Sequence, residues 1–182
     1  MGRHPCQPAY PGKVDRESGC GSPRGATKRD TRRPSVLEGF VFSESSIDRD
    51  TIRAFRETEY HVFGDSPFTL RIGELNPALA AACEQRGAEL CAYITACNPN
   101  SNPLDDQANA QRHALLRREL KERNLAFIEG EGKHPSNGWP GEASFLIFGI
   151  DLEMARALSR QLQQDAFVWA SSDLVPQLIL LR

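Results

Sequence analysis

No stretch of this sequence approaches the ~20 consecutive apolar residues that span a bilayer. Arg3 and Lys13 stand near the start with no apolar core after them, so a secretory leader is not expected. The run Leu178-Ile179-Leu180-Leu181 is far too short to anchor a chain. Cysteine is sparse and odd in number, at Cys6, Cys20, Cys83, Cys91 and Cys97, and no Cys-x-x-Cys occurs. The paired short spacing of zinc ligands is therefore missing, and no metal is expected. Cys83, Cys91 and Cys97 read as small buried thiols of a cytoplasmic protein, where disulfides are unusual. Also absent are a Walker loop, a Gly-x-Gly-x-x-Gly turn, a nucleophile elbow and a His-Glu-x-x-His helix. With none of these, the sequence implies no cofactor, and whether the protein is an enzyme stays open.

Charge is unevenly spread. Residues 1–34 carry eight Lys and Arg against three Asp and Glu, a net of +5 that leaves −7 for the remainder of a chain whose total is −2. Five prolines and five glycines fall in the same stretch, with almost no large apolar residue. Such a segment cannot bury enough surface to offset its ordering entropy. Residues 1–35 are therefore expected to be a disordered basic tail, and residues 36–182 a single α+β domain. An arm of this charge is either a contact for nucleic acid or an acidic surface, or an upstream extension without a role. The domain itself is not expected to bind nucleic acid.

Within the domain, Asp48 precedes a helical pattern as a cap, with Ile47 placed to staple onto Ile52. Short strands are expected over 60–63 and 68–72, with turn residues between them. Asn76-Pro77 opens a helix that Gly87 ends. Residues 90–96 are apolar or small on both faces, as in a central strand. A helix follows over 106–123, then a strand over 125–128 and a polar Gly-rich loop over 130–141. Residues 143–150 form another apolar strand, and Asp151 caps a helix with Met154, Ala155, Leu158 and Leu162 inward. Strands over 166–169 and 178–181 close the chain. Helices alternating with strands, some strands in hairpins, predict a mixed β-sheet with packed helices. A ferredoxin-like sandwich variant is the preferred form and a doubly wound α/β sheet the alternative.

Two segments are chemically conspicuous. The strand ending Tyr93-Ile94-Thr95-Ala96-Cys97-Asn98-Pro99 runs into a loop and a helix N-terminus, the place where open α/β sheets bind ligands. The buried stripe of that helix, stepped back from Leu120 and Leu116, passes through His113, Arg112 and Asn109. Burial of those groups costs several kcal/mol unless each is paired, either with a polar ligand or in an internal network. The second segment, Trp139-Pro140-Gly141-Glu142-Ala143-Ser144, places Glu142 at the mouth of an apolar strand. There it serves as a general acid or base, or as an ion-pair partner of Arg112. His134 in the preceding loop is read as a proton shuttle or as a solvent-exposed residue. Gln164 is placed to bond backbone across a helix-to-strand turn, and Trp169 to fill the core or to stack on a ring. A nucleophilic pairing of Cys97 with His113 lacks any evident third group to orient it.

These segments also carry a family resemblance. The Ile-Thr-Ala-x-Asn-Pro core at 94–99, then Asn109 with Arg112 and Leu115, Glu142-Ala143-Ser144, Gln164-Asp165-Ala166 and Trp169, resemble the bacterial family catalogued as Domain of Unknown Function 3293. The resemblance spans roughly residues 50 to 181. It departs at Cys97, where the family implies an aromatic, and at Asp165, where it implies Asn. The family name carries no activity.

Two functions follow as expectations. In the first, a small polar or anionic ligand binds at the Asn98 loop and the following helix N-terminus. Thr95, Asn98, Asn109, Arg112 and Gln164 form the site, Arg112 holds an anion, and Glu142 is the acid/base if there is chemistry. In the second, the domain is a non-catalytic interaction module for an unknown macromolecular partner, and the polar residues are a structural clasp.

Overall fold

The computed structural model describes residues 45–182. The expected basic tail, residues 1–35, lies outside the described residues. Asp48, Asn76, Asp105 and Asp151 each begin a helix by accepting backbone N–H groups of its first turn. The helices are α1 (Arg49–Glu57), α2 (Pro77–Glu84), α3 (Asp106–Glu122) and α4 (Leu152–Gln161). The strands are β1 (Glu59–Val62), β2 (Phe68–Leu70), β3 (Cys91–Thr95), β4 (Phe127–Lys133), β5 (Glu142–Phe148), β6 (Ala166–Ala170) and β7 (Gln177–Leu180).

The strands form one sheet in the order β2-β1-β4-β5-β3-β6-β7, and every neighbouring pair is antiparallel. The expectation of a mixed sheet is thus corrected, and a doubly wound sheet, which needs parallel neighbours, is not what this chain builds. The α+β class stands. The physical reason lies in the crossovers. Helix α3 carries the chain from β3 past the position of β5 to β4, and α4 carries it from β5 past β3 to β6. Each crossover joins strands of the same direction but leaves one opposed strand between them.

The two sheet faces bury separate cores. On one, α3 and α4 contribute Leu116, Leu120, Ala155 and Leu158, packed on Ala92, Ile94, Phe145 and Ile147. On the other, α2 contributes Leu79, Ala82 and Cys83, packed on Tyr60, Val62, Leu70, Tyr93 and Leu146. Ala155 and Leu158 of α4, with Leu162 at its end, face the core as expected. Met154 is exposed, and Ser159 is buried instead.

The larger departure is β4. The segment read as a polar loop from residue 130 continues as strand to Lys133. Its composition hid an alternation, with Ile128, Gly130 and Gly132 on one face and Glu129, Glu131 and Lys133 on the other. Gly130 has no room for a side chain: a Cβ there would lie 2.2 Å from the His61 carbonyl oxygen and 2.6 Å from the Tyr93 hydroxyl.

Candidate functional site

The alternation on β4 shapes the site. Across the sheet, Tyr60 on β1 stands opposite Gly132 on β4, which stands opposite Glu142 on β5. In the next row, Gly130 stands opposite Ser144, which stands opposite Thr95 on β3. Paired residues share a face, so this part of the sheet presents Gly, Ser and Thr where a core would present Leu or Phe. Over it lies α1, whose Thr51, Ala54 and Phe55 recur at helical spacing toward the sheet, with Thr58 just after its end. None of the α1 residues is fully buried. The result is a cavity of about 370 Å³ between α1 and the sheet.

Glu142 lines this cavity. Its Oε1 accepts from Asn98 Nδ2 at 2.7 Å and from Trp139 Nε1 at 3.0 Å, and its Oε2 receives no hydrogen bond from the described residues. Burial raises its pKa above the ordinary glutamate value near 4.5, and the two hydrogen bonds pull it back in part. Tyr60 and Tyr93 line the cavity too and meet edge to face, their ring centroids 5.4 Å apart. Both phenols are held well above their usual pKa, by burial first and, for Tyr60, next by the Glu142 charge.

Asn98 is the hub that holds Glu142. It is buried and left-handed (φ 46°), a conformation Asn tolerates better than most residues. Its N–H donates to Asn109 Oδ1 at 3.0 Å, and its Oδ1 accepts from Asn109 Nδ2 and from the Leu104 N–H, both at 2.9 Å. Thr95 turns the chain into this loop: its Oγ1 accepts from the Cys97 N–H and donates to the Ala143 carbonyl. Arg112 donates from Nε to the Ala96 carbonyl at 2.5 Å and from Nη2 to the Leu162 carbonyl at 2.7 Å. The Leu162 carbonyl lies at the C-terminal end of α4, where the helix dipole favours a cation. Gln164 Nε2 donates to the Cys97 carbonyl at 2.9 Å.

Thr95, Asn98, Glu142 and Gln164 therefore meet at the cavity. Asn109 and Arg112 do not line it; they brace the loop from the α3 side. The expected ion pair of Arg112 with Glu142 is absent among the described residues, since Arg112 spends its donors on two carbonyls and Glu142 is held by Asn98 and Trp139. The first turn of α3 lies outside the lining as well, and carries Asp105 and Asp106 where an anion would have to sit.

Sequence reasoning missed the walls. Tyr60, Tyr93, Phe55 and Trp139 line the cavity, and so does His134, whose side chain is 8% exposed and thus enclosed rather than a free loop residue. His134 Nδ1 accepts the N–H groups of Ser136 and Asn137, so Nε2 carries the proton and donates to Glu57 on α1 at 3.3 Å. The alternation in β4 was the available signal for the cavity floor. Asp165 is buried with Ser101 Oγ on one oxygen and Arg182 Nε on the other, each at 2.6 Å.

Three sequence alternatives resolve. Trp169 packs in the core beneath α4 and donates to the Ile150 carbonyl. Cys97 is buried, its thiol pushed up by that burial, and its Sγ is 3.6 Å from the Ala143 carbonyl. His113 stacks on Phe145 with centroids 4.2 Å apart, its Nδ1 buried without a partner, and burial lowers its pKa.

Residues 94–167 match the family model described as Protein of unknown function (DUF3293). This bears out the resemblance carried by the Asn98, Glu142 and Gln164 segments. The DUF3293 match runs from β3 to β6 and takes in Thr95, Asn98, Asn109, Arg112, Glu142 and Gln164; α1, β1 and Tyr60, which complete the cavity, lie outside it. No curated protein and no solved structure matches the chain. No helix of the described residues is long and apolar enough to cross a membrane. Among them, no group of three or more His, Cys, Asp or Glu is placed to hold a metal ion.

Proposed function

We propose that the domain binds a small polar molecule in the cavity between α1 and the sheet, with Glu142 as the group that grips it. One observation carries this reading: a largely buried carboxylate, raised in pKa by its burial, with one oxygen unclaimed by the protein in a cavity of about 370 Å³. That volume falls in the range of small-molecule sites, about 300–1,000 Å³. Thr95, Asn98 and Gln164 supply further polar lining, while Asn109 and Arg112 position the loop that carries Asn98. Were the bound molecule to be transformed, Glu142 is the residue placed to exchange a proton with it. The proposal extends to fold: the β3-α3-β4-β5-α4-β6 unit is taken as a split βαβ of ferredoxin-like type, supported by its strand order β4-β5-β3-β6.

The second reading, an interaction module with a structural clasp, has support in its clasp. The bonds of Asn98, Asn109, Arg112 and Gln164 are internal. They account for Asn109 and Arg112, and leave Glu142 Oε2 and Gln164 Oε1 without a donor from the described residues. A thermal-unfolding screen of the full chain against small polar compounds tests the proposal. A saturable rise in unfolding temperature is expected, lost in Gly132→Val. A Cβ at Gly132 meets nothing closer than 3.7 Å, so the larger side chain fills the cavity beside Tyr60 without a backbone clash. A rise that survives Gly132→Val, or no rise with any compound, contradicts it.

A further inference from the structure

The hydrogen-bond polarity of the cavity wall sets what it takes. On α1 and just after it, Thr51 Oγ1 donates to Asp48, Thr58 Oγ1 to the Ala54 carbonyl and Tyr60 Oη to the Phe55 carbonyl. On the sheet, Tyr93 Oη donates to the His61 carbonyl, Thr95 Oγ1 to the Ala143 carbonyl and Ser144 Oγ to the Glu142 carbonyl. Ser101 Oγ donates to Asp165, Trp139 Nε1 to Glu142 and His134 Nε2 to Glu57. Every hydroxyl of the lining has thus spent its single proton on the protein. The remaining side-chain donors are the second amide hydrogens of Asn98 and Gln164 and the exposed amide of Asn137.

Acceptors, by contrast, are left over. Glu142 Oε2 and Gln164 Oε1 receive no hydrogen bond from the described residues. No Lys or Arg lines the cavity; Glu142 is half-buried in it, and Asp165, buried beside it, is already paired with Arg182. An anion here would meet the Glu142 carboxylate and spent donors. A cation would meet an unpaired carboxylate oxygen and the ring faces and edges of Tyr60, Tyr93, Phe55 and Trp139. A buried carboxylate gains from a donor that also carries the opposite charge, since both its desolvation and its empty lone pairs are then compensated.

Resting on the reading that the cavity is a binding site, we infer that its ligand is a compact organic cation, an amidinium, guanidinium or primary ammonium on a small flat or apolar body, seated with its N–H groups on Glu142 Oε2 and Gln164 Oε1. The Glu142 carboxylate and the aromatic walls then act together. Arg112, bound to two carbonyls outside the lining, has no part in ligand charge.

Calorimetric titration of the full chain tests this with matched probes of one shape: benzamidinium, benzamide and benzoate, with agmatine and phenethylammonium as further cations. Glu142→Gln is the decisive variant. Its Oε1 retains the bonds from Asn98 and Trp139, and an N–H₂ replaces Oε2, so the acceptor becomes a donor without loss of the clasp. The expected result is saturable binding of at least one cation, roughly tenfold or more tighter than its neutral or anionic counterpart and weakened at least as much by Glu142→Gln. Binding of a neutral or anionic probe equal to or tighter than that of every cation, or cation binding untouched by Glu142→Gln, overturns the ligand class and leaves the cavity site standing. Saturation by no probe here and no compound in the thermal screen overturns both.

Discussion

Glu142 is costly to keep ionised where it stands, and the cost has a pH signature. Its folded pKa is raised above the ordinary value near 4.5, by burial more than its two hydrogen bonds lower it. The unfolded chain therefore releases this proton first as pH rises. The Glu142 contribution to stability is greatest below about pH 4.5, declines through the window up to the folded pKa, and is level above it. Glu142→Gln does not titrate. Urea unfolding of both chains from about pH 4 to pH 7 should show the variant gaining on the parent as pH rises. A difference that stays flat over that range would contradict the buried-carboxylate description. Part of this was legible in the residue itself: a Glu at the mouth of an apolar strand announces a perturbed acid. Its partner was not. Arg112 was the natural choice by charge, but the register puts an amide and an indole within reach of Oε1, and the guanidinium on the opposite side of the loop.

At the scale of elements, the loop between β3 and α3 is built to hold a strained backbone. Asn98, Asn100 and Ser101 all lie at positive φ, and Asn98, Asn109 and Arg112 tie the loop to α3 and to the end of α4. Asn109→Ala leaves the buried Asn98 N–H without its acceptor, and Arg112→Ala leaves the Ala96 and Leu162 carbonyls without a donor. Each unpaired buried group should cost about 1–3 kcal/mol in urea unfolding, with Arg112→Ala the more damaging. Arg112→Lys should not restore the loss, because one ammonium does not span both carbonyls. Stability equal to the parent in both alanine variants would show that the loop is not held this way. The caps Asp48, Asn76 and Asp151 were readable because a capping side chain acts within three residues of itself. Strand β4 was readable only at its start, because Gly130 and Gly132 read as turn chemistry until the strands on either side are known. A close approach of Tyr93 Oη to the His61 carbonyl is what Gly130 permits, and that contact joins residues 32 apart in sequence.

For the whole molecule, the order of elements was recoverable from periodicity and turn residues, while the order of strands was not. Placing the site at the N-terminus of α3 borrowed a rule from parallel sheets, in which strand ends and helix starts gather on one edge. Here the sheet is antiparallel throughout. Helix α3 packs on the face of Ile94 and Phe145, and the cavity opens on the face of Tyr93, Ser144 and Glu142. The Asn98 loop is the link between the two, reaching Glu142 on one side and Asn109 on the other. That arrangement lets one sequence motif carry both a clasp and the proposed site. Its most direct test is a crystal structure of the full chain grown with benzamidinium chloride. The expected result is an amidinium in the cavity, its nitrogen about 2.7–2.9 Å from Glu142 Oε2, with the Asn98 and Trp139 bonds to Oε1 intact. A cavity closed by the 134–139 loop, with Glu142 Oε2 bonded to the protein and no amidinium beside it, would contradict the site.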